Sequence, residues 1–146
     1  MAGNSSRNKG QSGEREVMGI LKLIVEERYK TLTNLDCPVL ERNLNQSNKG
    51  GYDIIGLDWL ALEVKRQETL LIDQWWAQTK KQAKHNQHPV LIYRASRQPW
   101  RVMLEVSIYE NNQLLIMPAQ ISLDYFLKWF KLKLTSKLIA DLPKPN

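Results

Sequence analysis

A single cysteine, Cys37, in 146 residues leaves nothing for an internal disulfide framework or a cysteine-based zinc site, so a reducing compartment is expected. Histidine is almost as scarce. His85 and His88 share the segment Lys84-His85-Asn86-Gln87-His88-Pro89, which reads as an exposed connector rather than a ligand pair, because no cysteine or acid cluster accompanies them. No apolar run approaches the ~20 residues that span a bilayer, and residues 1–13 lack the apolar centre of a secretory signal, so a cytoplasmic setting is expected. Acids are outnumbered by bases, 15 against 21, and the net charge of +6 is spread along the chain rather than confined to a tail. That balance favours an anionic partner, with duplex nucleic acid the best fit, although basic charge alone is also common in proteins that bind none.

What is present is organised around Asp53 and Glu63-Val64-Lys65. Tyr52-Asp53-Ile54-Ile55-Gly56-Leu57 and Trp59-Leu60-Ala61-Leu62-Glu63-Val64-Lys65 read as two strands of a hairpin, turned at Gly56 and Asp58. Side chains alternate along a strand, so Glu63 and Lys65 share a face that Val64 does not. Two converging carboxylates repel unless a cation lies between them, and hard oxygen ligands suit Mg²⁺ or Mn²⁺. Such an ion activates water and a phosphodiester, and a nearby ammonium stabilises charge on phosphate oxygens. Taken alone, a Glu-x-Lys tripeptide reads more readily as an ordinary surface pair.

Upstream, Lys9-Gly10-Gln11-Ser12-Gly13-Glu14-Arg15-Glu16-Val17 opens a segment in which Val17, Ile20, Leu21, Ile24 and Val25 recur at helical spacing. Ser12 reads as its N-cap, with Glu14, Arg15 and Glu16 in the first turn and residues 1–13 as a flexible basic arm. Capping would by itself account for either glutamate.

In these residues the chain resembles the archaeal-type Holliday junction resolvases of the PD-(D/E)XK nuclease superfamily. The likeness spans residues 9 to 106 and is strongest at Lys9–Val17 and Gly51–Arg66, although Tyr52 stands where the superfamily name implies a proline. The resemblance implies a restriction-endonuclease-like α/β fold with an αβββαβ core, a mixed central sheet flanked by helices. It implies that Glu14, Asp53, Glu63 and Lys65 are catalytic, that the three acids hold Mg²⁺ (Mn²⁺ substituting), and that branched DNA is the substrate. A symmetric four-way junction further suits a C₂ homodimer. The alternatives are a restriction-like or repair nuclease acting on linear DNA, and a non-catalytic basic DNA-binding module. No appended recognition domain is evident, which favours shape over sequence as the feature read. The small format suits a phage or mobile-element protein.

Pro38-Val39-Leu40-Glu41-Arg42-Asn43-Leu44 reads as the first strand, followed by the loop Asn45–Gly51. Ser47 and Lys49 in that loop are candidate phosphate contacts, or members of a solvated turn. Lys9, Arg15 and Arg66 are further candidate DNA contacts. Ile72–Lys84 reads as a helix with a partial apolar stripe and a polar stripe of Gln74, Gln78, Lys81 and Gln82. Gln78 and Lys81 are its candidate DNA contacts, with a solvated face as the alternative, and Trp75 and Trp76 suit the core or a subunit contact. Val90–Tyr93, Arg101–Val106 and Leu114–Met117 read as further strands. A C-terminal helix over about residues 122–140 completes one domain of residues 14–146, its core covering about 14–117.

Overall fold

The structure, a computed structural model, describes residues 2–44 and 51–145. The order of elements is helix α1 (Ala2–Leu32), strands β1 (Glu41–Arg42), β2 (Ile54–Ile55) and β3 (Leu60–Arg66), helix α2 (Ile72–Gln82), strands β4 (His88–Arg94), β5 (Arg101–Glu110) and β6 (Gln113–Ser122), and helix α3 (Leu123–Asp141). The six strands form one sheet in sequence order. Only β3 and β4 are parallel, because α2 carries the chain back between them, and every other neighbour is antiparallel. This is the mixed sheet and αβββαβ order expected, extended by β5, β6 and α3.

Alternation along the strands divides the core into two layers. Leu62, Val64, Val90, Ile92, Val102 and Leu104 face α1 and α3, and Leu91, Tyr93 and Met103 face Trp75 and Trp76 of α2. On α1 the buried residues Val17, Leu21 and Val25 recur every fourth position, as do Phe126, Phe130, Leu134 and Leu138 on α3. Phe126 and Phe130 are fully buried, each contributing roughly 1.5–3 kcal/mol of transfer free energy. Ser122 caps α3 by accepting from the Tyr125 N–H at 3.3 Å.

Several expectations change. Residues 2–13 are not an arm but the first turns of α1, so Ser12 lies mid-helix and caps nothing. The helix continues because Gly13 brings it against the sheet: a Cβ there would stand 3.2 Å from Arg66 Cβ and from the Trp100 ring. The strand foreseen over residues 38–44 shrinks to Glu41–Arg42. His88 is no connector residue; it opens β4 and sets its ring edge-on to Trp129 at 5.7 Å. Burial and the nearby Lys133 and Lys137 push its pKa below the ordinary value. Ser47 and Lys49 lie outside the described residues. No helix among the described residues is long and apolar enough to cross a membrane.

Candidate active site

The hairpin of β2 and β3 fixes the two acids that the sequence singles out. The Asp53 N–H donates to Leu62 O at 2.8 Å, and the Val64 N–H donates to Asp53 Oδ2 at 2.6 Å, so Asp53 is locked across from Glu63 before any ligand arrives. Gly56 permits this tight return, with φ at +116° and an added Cβ only 2.5 Å from Val39 O. Glu63 and Lys65 do share a strand face, Nζ to Oε1 being 3.0 Å.

Glu14 and Glu16 are two positions apart on α1 and therefore point in different directions. Glu16 anchors the helix: its carboxylate accepts from Arg94 Nη2 and from Trp100 Nε1, both at 3.0 Å, while the Arg94 guanidinium lies 4.6 Å over the Trp100 ring. Glu14 is thereby left facing a cleft of about 440 Å³, lined also by Asp53, Glu63, Lys65, Arg66 and Gln78. All four expected catalytic residues thus reach one cavity.

The carboxylates nevertheless do not form a ready ligand set; among the described residues no three acid, histidine or cysteine side chains are grouped to hold a metal. Each has taken another partner. Glu14 Oε2 accepts from Arg42 Nε at 2.8 Å, Asp53 accepts from the Val64 N–H, and Glu63 pairs with Lys65. Three acids facing one cavity without a cation would repel, and these contacts offset that repulsion.

Glu63 carries the residual cost. It is 2% exposed, and its Oε2 has no hydrogen-bond partner among the described residues. Burial first, and then the Asp53 carboxylate, push its pKa from the ordinary 4.5 up to about 7, against the pull of Lys65. A buried, partnerless carboxylate oxygen beside a second carboxylate suits a hard divalent cation, so the donor set fits one.

The remaining candidates divide. Arg66 and Gln78 line the cleft. Arg66 also donates to Ser12 Oγ at 3.4 Å, and its Nε is buried without a partner. Lys9 is instead paired with Glu68 at 2.9 Å, and Arg15 and Lys81 are exposed outside the cleft lining. Gln82, which lines the cleft, and Arg42, which reaches it only through Glu14, were not among the expected site residues. Gln82, one helical turn beyond Gln78, lines the cleft with a buried, partnerless Oε1, and its i+4 spacing was the available signal. Arg42 holds Glu14 across a sequence gap that no local pattern reveals.

With this geometry in view, residues 5–137 match the family model described as phage putative PDDEXK endonuclease. The chain belongs to that family. An endonuclease family implies DNA as the substrate, and the superfamily expected from the motifs is borne out. No match was found among curated proteins or among solved structures.

Proposed function

We propose that this phage-type PDDEXK endonuclease is a structure-selective, Mg²⁺-dependent DNA nuclease, a Holliday junction resolvase that places paired symmetric nicks in branched DNA. The observation that carries the hydrolytic reading is the Glu63 carboxylate, buried and half-partnered in a cleft it shares with Glu14, Asp53 and Lys65. The resolvase reading is supported by the ordered set of Lys9-Gly10, Glu14-Arg15-Glu16, Asp53 and Glu63-Val64-Lys65.

Mg²⁺, with Mn²⁺ able to substitute, would be held by Glu14, Asp53 and Glu63, and when bound supplies Lewis-acid polarisation of the phosphodiester and a more acidic water. Lys65, held at the cleft by Glu63 and partly exposed there, stabilises charge developing on the phosphate oxygens. Asp53 stays in register because the Val64 N–H fixes one of its oxygens. Arg66 and Gln78 receive the sugar–phosphate backbone, and Lys9, Arg15, Ser47, Lys49 and Lys81 are further DNA contacts in this reading. A C₂ homodimer would present two such clefts to a two-fold junction, acting in the host cytoplasm.

The test is cleavage of an end-labelled four-way junction beside a linear duplex of the same sequence, in Mg²⁺, on a denaturing gel. Paired symmetric nicks in the junction alone are expected. Cutting of both substrates would replace the resolvase reading with that of a linear-DNA or repair nuclease, and cutting of neither would leave a basic DNA-binding module.

A further inference from the structure

A second cavity adjoins the cleft. It measures about 300 Å³ and is lined mainly by Arg7, Gly10, Gln11 and Glu14 of α1 and by Arg42 and Asn43 of β1. The four α1 residues recur at helical spacing, so it is the helical start of the chain that sets them on one face. Glu14 and Gly10 line both cavities, and a Cβ built on Gly10 would meet nothing within 4 Å, so open space runs past the helix between them.

Glu14 is therefore a shared wall, and Arg42 holds it from the far side. Arg42 Nε donates to Glu14 Oε2 at 2.8 Å, and the two side chains are only 16% and 18% exposed, so water screens the pair little. The Arg42 backbone is fixed beside the hairpin that carries Asp53. It pairs with Ile54 of β2, and the next residue, Asn43, donates its N–H to Asp53 O at 2.8 Å and its Nδ2 to Tyr52 O at 3.0 Å. Val64 and Lys65, which contact Asp53 and Glu63, both line the cleft, whereas Arg42 does not. Glu14 is thus the acid committed to a cation outside the cleft, and among the described residues the acids are not grouped to hold a metal.

A guanidinium and a divalent ion at one carboxylate repel each other, so they compete for Glu14. A phosphate alters that contest. Arg7 and Arg42 bring two guanidiniums to the second cavity and Gln11 an amide, a donor set suited to a phosphodiester, which arginine can hold through two parallel hydrogen bonds. Whatever draws Arg42 toward that anion loosens its hold on Glu14.

Given a metal-dependent nuclease, as proposed, we infer that this cavity is a subsite for a backbone phosphate flanking the one to be cut, and that Arg42 is a positioning residue that latches Glu14 until that phosphate arrives. DNA and metal then bind cooperatively, each raising the affinity of the other by the same factor. Without DNA, the chain holds metal weakly.

The first experiment titrates Mn²⁺ into the full chain without DNA and reads free Mn²⁺ by its paramagnetic resonance signal, so its failure is distinct from failure of the resolvase reading. Arg42→Gln should tighten Mn²⁺ binding at least about fivefold, and the gain should vanish in a Glu14→Gln background. Unchanged or weaker binding in Arg42→Gln would mean that the pair only fixes α1 to the sheet. An equal gain in both backgrounds would mean that only net charge had changed, and either result overturns the latch. A second arm measures the Kd of a labelled four-way junction by anisotropy, in chelator and in Ca²⁺. Ca²⁺ should tighten wild-type binding at least about fivefold, and by less in Arg42→Gln; an unchanged ratio, whatever the loss in chelator, overturns the coupling. Should Arg42→Gln unfold, the Arg42 Nε–H resonance of isotope-labelled wild type decides. Saturation with Mg²⁺ should shift it as Glu14 is released, and an unmoved resonance overturns the proposal.

Discussion

Glu63 Oε1 lies 3.0 Å from Lys65 Nζ, while Oε2 of the same carboxylate has no partner among the described residues. One oxygen is therefore compensated and the other is not, and the uncompensated one makes the ionised carboxylate costly to maintain. The unfolded-state carboxyl ionises near 4.5, whereas the folded one keeps its proton to about 7. Between those values the folded state binds more protons, so stability falls as pH rises through the window, and above about 7 the whole penalty is present. Its size is on the order of 3–4 kcal/mol, from about 1.4 kcal/mol for each pH unit between 4.5 and about 7.

Glu63→Gln should remove that pH dependence. In urea unfolding with chelator present, the wild type should lose stability from pH 5 to pH 8, and the variant should lack that loss and be the more stable of the two at pH 8. Parallel pH profiles for the two proteins would show that Glu63 is not the strained group.

A divalent cation should reverse the same penalty. At pH 8, Mg²⁺ or Mn²⁺ at about ten times its Kd should stabilise the wild type by about 1.4 kcal/mol, and so raise Tm by about 3–6 °C. Asp53→Asn and Glu63→Gln should each lose most of that shift. Calorimetric scans with and without metal check this, and an equal shift in all three proteins would place the cation elsewhere.

Asp53→Asn and Lys65→Ala should each lower cleavage by at least about 10²-fold while the fold and DNA binding in Ca²⁺ are retained. Single-turnover cleavage alongside anisotropy titration separates the two effects. Wild-type cleavage by Lys65→Ala would remove the ammonium from the chemistry.

The central sheet and its hairpin were legible because their signals are local: apolar runs at Ile54–Leu57 and Leu60–Val64, a turn at Gly56, and alternation that sends Glu63 and Lys65 to one face. The polar start of α1 was not. Asn4, Ser5, Ser6, Asn8 and Gly10 are weak helix formers, and what favours the helix there is tertiary, through Gly13 against Trp100 and Glu16 against Arg94. Arg42 escaped for a related reason, since its pairing with Glu14 crosses 28 positions. β5 was underestimated because its outer part, Ser107–Glu110, is exposed on both faces, which removes the periodicity a half-buried strand would show, and β6 was foreseen only over Leu114–Met117 because Pro118, which lacks an N–H, reads as the end of a strand.

Gly56 and Gly19 make opposite predictions from the same substitution. Gly56 has φ at +116°, and an alanine Cβ there would meet Val39 O at 2.5 Å, a backbone atom that cannot move aside without shifting the approach to β1. Strain and overpacking together cost about 2–4 kcal/mol, so Gly56→Ala should lower Tm by roughly 5–15 °C. Because the turn sets Asp53 opposite Glu63, cleavage should fall even below the new Tm. Gly19 lies within α1 with open space around its Cα, so Gly19→Ala should instead gain about 0.5–1 kcal/mol through helix propensity and leave cleavage unchanged. Thermal melts and initial cleavage rates of the pair check both signs. A neutral Gly56→Ala would mean that the hairpin relaxes at that turn without displacing its acids.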